Sequence, residues 1–336
     1  MYKKISNTAH QLLLTASCSL LVDKKILLAF SGGIDSTALF FLLQECGIKC
    51  DLAIVDYALR EQSKDEVNYA KELASVYGVK CFATTAPKFD SHFEQNARNF
   101  RYEFFEDIIS KEGYEVLLTA HQLNDNLEWF LMRLSKGAGV SELVGLKEVT
   151  KKKNYLLIRP LLGFSKDELL EYLKINNHKY FIDETNSDER YERNYFRANF
   201  SDKLIQNYKN GIKKSFEYLK SDALLLEDKY EIIFKQKELV IAKIKDIAYM
   251  AKATDLILKE LGYLMSSKQR EEIGKNKNLV IGGLWSVGLS GDMLFVAPYK
   301  KTVLPKEFKE LCRIKHIPPL VRGYIYDENI NLEPIY

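Results

Sequence analysis

The sequence predicts an α/β fold: a doubly wound parallel sheet, then a helical middle domain and a small C-terminal α+β unit. Through residue 160, short apolar runs of strand length alternate with longer stretches of helical period. That is the rhythm of a parallel sheet covered by helices on both faces. From about 199 to 275 the spacing is helical and rich in Lys and Glu. Residues 279–297 alternate apolar with Gly/Ser-rich pieces, as short strands and hairpins do, and helix and strand signals resume after Pro305.

Taken in order, Lys25-Ile26-Leu27-Leu28-Ala29-Phe30 reads as a buried strand and Ser36 to Cys46 as a helix with a dense apolar face. Asp51 to Asp56 is a second strand. Glu61 to Tyr77 is a helix with Val67, Ala70, Leu73 and Ala74 at helical spacing. Val79 to Thr84 is the third strand, Phe93 to Ser110 a helix, Glu115 to Ala120 the fourth strand and Asn124 to Leu134 its helix. Tyr155 to Ile158 makes a fifth strand, ended by Arg159-Pro160. Ser165 reads as an N-cap with Glu168 three residues on. Residues 183–194 are polar, as an exposed loop would be. The domains expected are 1–200, 201–298 (mainly helical) and 299–336.

The 336 residues suffice for one domain with its own core plus one or two smaller units. The segment after Met1-Tyr2-Lys3-Lys4 is too polar for a signal peptide, and no apolar run reaches the ~18 residues a membrane span needs. The five cysteines form no CxxC pair. Cys46 and Cys50 have no second pair or His cluster to complete a metal site, which favours free thiols in a reducing cytoplasm. A net charge of +3 does not announce nucleic-acid binding. Residues 201–336 carry 23 Lys+Arg against 18 Asp+Glu, compatible with an RNA partner and equally with an ordinary solvated surface.

The sharpest chemical signal is Ser31-Gly32-Gly33-Ile34-Asp35-Ser36, between a buried strand and a helix start. Gly32 and Gly33 let the backbone turn tightly and approach a ligand, so successive N–H groups can surround a phosphate at the helix N-terminus. Ser31, Ser36 and Thr37 add hydroxyls. Asp35 would repel phosphates unless it holds Mg²⁺ that bridges them. Val55-Asp56-Tyr57-Ala58-Leu59-Arg60 ends the second strand and should lie over the nucleotide, which makes Asp56 a binding candidate. Glu94, Arg98 and Arg101 share a helix face, suited to phosphate or RNA, or to a salt-bridged surface. Beside His121, Asp125 and Glu128 share another face. Such a pair can hold an ammonium, a metal or a proton, or can simply cap the helix dipole.

In order along residues 25–200, these strings resemble tRNA(Ile)-lysidine synthetase, of the PP-loop, N-type ATP pyrophosphatase superfamily with its adenine nucleotide α-hydrolase-like fold. That family shows SGGxDS, VDHxLR, an E-x-x-AR-x-x-RY helix, TAHHxDDxxET, RPLL and D-x-(S/T)N-x-D-x-x-YxRNxxR. The last two appear here as Arg159-Pro160-Leu161-Leu162 and Asp183 to Arg197. Tyr57, Gln122, Asn124 and Trp129 depart from the pattern, while Asp35, Asp125 and Glu128 match it.

The resemblance implies an ATP-dependent carbon–nitrogen ligase. ATP adenylates the wobble cytidine of an isoleucine tRNA, and L-lysine then displaces AMP at C2. On this reading Asp35 holds Mg²⁺, Ser31 to Ser36 and Asp56 bind ATP, Asp125 and Glu128 hold lysine, and His121 is either a proton acceptor or a packed or capping histidine. Arg98, Arg101, Arg193 and Arg197 become tRNA or phosphate contacts, and the segment from 201 to 298 a tRNA-contacting domain. The location would be cytoplasmic with no membrane partner, and the oligomeric state stays open, a homodimer included. A 2-thiocytidine synthase of the same superfamily would need cysteines for sulfur chemistry. An amidotransferase-type synthetase would need an ammonia source. A non-catalytic RNA-binding relative would bind tRNA without turnover.

Overall fold

The apolar run Ile26–Ala29 forms strand β1, mid-sheet in a six-stranded layer. The structure is a computed structural model and describes residues 6–331 except 14, 16–17, 59–61, 90, 92, 183–190 and 228. Leu59-Arg60 and residues 183–190 of the motifs above therefore lie outside the described residues. The chain forms two units, Met1–Lys220 and Ser221–Tyr336.

In the first unit β1 is joined by β2 (Asp51–Asp56), β3 (Cys81–Thr85), β4 (Val116–Leu118), β5 (Val149–Lys151) and β6 (Leu156–Ile158), in the order β3-β2-β1-β4-β6-β5. The pairings are parallel except for β5 against β6. The strands read as continuous apolar runs because both faces are covered. On one face Ile26, Leu28, Leu52, Val116 and Ile158 pack under α1 (Asn7–Leu13), α2 (Ile34–Glu45) and α3 (Gln62–Tyr77). On the other, Leu27, Ala53, Leu117 and Leu157 pack under α4 (Phe93–Glu112) through Phe105, Ile108 and Ile109. The antiparallel edge strand β5 is an addition to the predicted sheet. Its residues, Val149-Thr150-Lys151, lack an apolar run because an edge strand needs none.

Helices α5 (Leu123–Leu134) and α6 (Val140–Leu143) follow β4, and α7 (Lys166–Ile175) follows β6. The predicted Ser165 cap is present: its hydroxyl accepts from the Glu168 amide, and the Glu168 carboxylate accepts from the Ser165 amide. The chain then runs through α8 (Glu192–Phe196), a π-helical turn at Arg197–Ser201, and α9 (Asp202–Glu227). Leu123 and Leu127 of α5 bury against Ile205 and Phe216 of α9.

The second unit differs from the mainly helical domain expected at 201–298. It is built on an antiparallel sheet of β7 (Tyr230–Gln236), β8 (Leu239–Ile244), β9 (Asn278–Ile281), β10 (Trp285–Ser290) and β11 (Met293–Pro298), ordered β7-β8-β11-β10-β9. Val240, Ala242, Leu294 and Val296 face α10 (Met250–Glu260) and α11 (Ser267–Lys275). Leu239, Ile241, Phe295 and Ala297 face α12 (Lys306–Ile314) and α13 (Arg322–Asp327). Residues 299–331 thus cover this sheet's second face instead of forming a separate unit. A short apolar run such as Leu239–Ile244 suits a buried strand or a helix equally by period, and its partner β11 arrives much later in the chain. The hairpin of β10 and β11 overlaps the predicted 279–297 and ends one residue beyond it.

Gly288 on β10 sits against Pro318, where an added Cβ would lie 2.4 Å from the proline Cβ. Gly288→Ala should therefore overpack the sheet face and destabilise the second unit by about 1–3 kcal/mol. Thermal unfolding should show an earlier transition, and an unchanged profile would contradict this packing.

Candidate active site

The chain leaves β1 at Ala29 and enters α2 through the predicted phosphate loop. Gly32 has φ +73°, a left-handed conformation that disfavours any side chain, and an added Cβ would stand 3.3 Å from the Phe181 ring. Phe181 locks the loop from the other side: its amide donates to the Gly32 carbonyl at 2.9 Å. The Ser31 and Ser36 hydroxyls lie 3.1 Å apart, and the Ser31 amide donates to Ser36 Oγ at 3.2 Å. The loop is thus pre-shaped. The amides of Ile34, Asp35 and Ser36 open α2, where no preceding turn can accept them, and the helix dipole is positive there.

A pocket of about 910 Å³ opens beyond the carboxyl ends of β1 and β4, where the strand order reverses. Ser31, Gly33, Ile34, Asp35 and Ser36 line one side, and Thr119, Ala120 and His121 line another. Asp35 Oδ1 is buried with no hydrogen-bond partner among the described residues. Burial first, then the charges of Asp125 and Glu128, push its carboxyl up to about 7, against a downward pull from Lys166 and Arg197. An orphaned carboxylate oxygen beside a phosphate loop fits a hard divalent cation. Among the described residues no cluster of three or more His, Cys, Asp or Glu is arranged to hold a metal. A single protein carboxylate with phosphate and water oxygens is a common Mg²⁺ arrangement.

Asp125, Glu128, Arg193 and Arg197 are brought together. The acids' three-residue spacing on α5 meets the arginines' four-residue spacing across the start of the π-helical turn. Glu128, fully buried, accepts from Arg193 Nε at 2.7 Å and from Arg197 Nε at 2.7 Å. Arg193 Nη2 also donates to Asp125 Oδ1. Asp125 Oδ2 in turn accepts from the Gln122 amide at 2.9 Å and closes a capping box. The sequence reading gave the acids to lysine and the arginines to tRNA. In this structure the four side chains bind one another, because opposite charges on facing helix surfaces pair when desolvated.

His121 is a poor base as it stands. Burial, then the positive field of Arg159, Arg193, Arg101 and Arg98, lowers its ring to about 3, and Nδ1 lies 3.0 Å from Thr119 Oγ1. Asp56 turns back on its own loop, accepting from the Ala58 amide at 2.7 Å, while its neighbours Val55 and Tyr57 line the pocket. Arg101 lines the pocket near Tyr57, whose hydroxyl donates to the Ala97 carbonyl at 3.3 Å. Arg98 is exposed and stacks 5.1 Å over Tyr102. Sequence reasoning missed Phe181, Lys166 and Asp202 as pocket residues. Phe181 carries no motif, and Lys166 was legible only as the residue after a cap.

A family of PP-loop domains matches residues 1–204. The tRNA(Ile)-lysidine synthase of Campylobacter jejuni subsp. jejuni is 44% identical over 318 residues, 94% of this chain and 97% of that protein. Those of Wolinella succinogenes and Helicobacter pylori are 41% and 39% identical, covering 91% and 92% of this chain and 94% and 91% of their own. The chain belongs to the tRNA(Ile)-lysidine synthase family. Of solved structures, the U34-tRNA thiolase NcsA from Methanococcus maripaludis, with its [4Fe-4S] cluster, aligns over 63% of this chain and 77% of its own at 20% identity. Its TM-score of 0.50 is a likeness of fold.

None of the five free cysteines lines the pocket, and burial pushes the Cys46 thiol up to about 12. No helix of the described residues is long and apolar enough to cross a membrane.

Asp35 gives this site a pH signature. Its folded-state value lies above the ordinary carboxylate value of 3.8. The ligand-free fold therefore loses stability as pH rises from about 4 to about 7, since the unfolded chain ionises first. Asp35→Asn should raise the melting temperature of the ligand-free protein at pH 8, and the gain should shrink toward pH 4. A gain independent of pH would contradict a desolvated Asp35.

Proposed function

We propose that this pocket ligates L-lysine to the C2 carbon of the wobble cytidine of an isoleucine tRNA, consuming ATP and releasing AMP and pyrophosphate. What supports the reading is near-full-length similarity to lysidine synthases together with a pre-shaped phosphate loop facing an orphaned carboxylate. The cytosine O2 attacks the α-phosphate, and pyrophosphate leaves. The ε-amine of lysine then attacks C2, a proton leaves the nitrogen, and AMP departs with the oxygen it activated.

Asp35 would hold Mg²⁺, which when bound offsets the charge of the triphosphate. The loop amides and the Ser31 and Ser36 hydroxyls receive the phosphates, so the protein's share of catalysis is positioning and electrostatics. Asp125 and Glu128 act as positioning residues that hold Arg193 and Arg197, and Arg197 forms part of the pocket wall. A bound polyanion would offset the part of the His121 shift that comes from the arginine field, and His121 is the candidate proton acceptor of the loaded site. The cytidine leaves its stack to enter the pocket. The enzyme works in the cytoplasm, where tRNA is matured, and the chemistry needs one copy of the chain, as a monomer or within a homodimer.

Incubation with ATP, radiolabelled L-lysine and total tRNA should place label in tRNA, and replacing the wobble cytidine should abolish it. Sulfur incorporation, or no label, would refute the reading. Arg98→Ala and Arg101→Ala should each weaken tRNA binding and lower its salt slope by about 1. Unchanged binding across a salt series would remove both residues from the tRNA surface.

A further inference from the structure

Three aromatic rings stand together on the stretch of chain that builds part of the pocket wall. Tyr195 and Phe196 end α8, and Phe200 follows in the π-helical turn. The ring centroids lie 6.1 Å apart for Tyr195 and Phe196, 5.9 Å for Tyr195 and Phe200, and 5.6 Å for Phe196 and Phe200. A cluster of this kind ordinarily belongs in a core, yet Tyr195 is 46% and Phe200 41% exposed. Between the rings the same chain supplies Arg197 and Ala198 to the pocket, and Asp202 follows. Every ring is therefore within two residues of a wall residue. The resembling motif ends at Arg197 and leaves positions 195 and 196 open, so it prescribes none of the three rings. The charges nearby favour an anion. Glu192 is neutralised by Lys136 at 2.7 Å, Asp202 accepts from Asn124 Nδ2 at 2.7 Å, and exposed Lys203 makes no ion pair among the described residues.

We propose that Tyr195 and Phe200, backed by half-buried Phe196, form a stacking ledge for an unpaired base of the tRNA anticodon loop, one that flanks the wobble cytidine. The inference rests on the lysidine reading. For the cytidine to enter the pocket it must leave its stack, and its neighbours in the loop then lose a partner on one face. An exposed ring cluster within two residues of the pocket wall offers that face a replacement. Stacking on a ring suits any of the four bases, because each has a π-face, so the ledge supplies affinity and position without reading sequence. Access decides for nucleic acid over protein as the occupant. A protein seated on rings that share their backbone with the wall would stand where the tRNA has to approach. Lys203 adds a cation for the phosphodiester beside the stacked base.

The test is a double-mutant cycle on tRNA binding by the full chain, using isoleucine tRNA in which the nucleotide 5′ or 3′ of the wobble cytidine lacks its base. Tyr195→Leu combined with Phe200→Leu keeps the surface apolar and removes the π-faces, and should weaken binding of intact tRNA by about tenfold. One of the two abasic tRNAs should bind wild type about tenfold more weakly, with little further loss on the double variant. Each single Leu variant should show part of the same coupling, so the cycle survives a double variant that misfolds. Tyr195→Phe should keep wild-type affinity, and the ATP KM of every variant should stay within about twofold. Additive losses for both abasic tRNAs, or Leu variants that bind intact tRNA like wild type, would overturn the ledge, while lysine transfer by wild type keeps the lysidine reading standing. No lysine transfer by wild type to any tRNA would overturn both.

Discussion

Everything around the pocket depends on how a buried carboxylate, Glu128, is compensated. A desolvated charge is tolerated only when paired and hydrogen-bonded, and here two guanidiniums supply the pairing from one helical stretch. That requirement ties α5, which follows the central sheet, to the turn that carries Arg197, Ala198 and Asp202 into the pocket wall. Removing Glu128 would do more than delete a contact. It would leave Arg193 and Arg197 facing each other and loosen the wall they build. The leucines on the neighbouring face of α5 reinforce the same junction with an apolar seam.

The electrostatics of the site are poised for a polyanion. Asp35 is held toward its neutral form, and His121 lies deep in a field of arginines that keeps it unprotonated. Both perturbations share a cause, low hydration with charges fixed nearby. A triphosphate with its cation would ionise Asp35 and damp the field at His121.

Much of this was legible in the sequence where the signal is local. The strand-to-helix loop at Ser31 to Ser36, the central strands and the Ser165 cap are set by neighbouring residues, and they appear where predicted. The pairing of Asp125 and Glu128 with Arg193 and Arg197 was not legible, although all four residues were singled out. It joins segments some seventy positions apart, and a periodic pattern on each side cannot say which partner it meets. Asp202 and Lys166 fall in the same class: one buried amide, that of Asn124, bonds the Asp202 carboxylate and the Lys166 backbone N–H. The second unit's sheet was misread because the hairpin of β7 and β8 joins the other strands only through β11, much later in the chain, and its helices were mistaken for the framework.

The π-helical turn at Arg197–Ser201 has one more consequence. A π turn takes in an extra residue, which slips the phase of a helix by about 100° per residue inserted. Up to the slip, Arg193 of α8 and Arg197 at the head of the turn face the acids of α5. After it, α9 presents Ile205 and Phe216 to the leucines of that same helix. This stretch of chain thereby engages two different stripes of its neighbour, as a key with a twist in its shaft can meet two rows of pins.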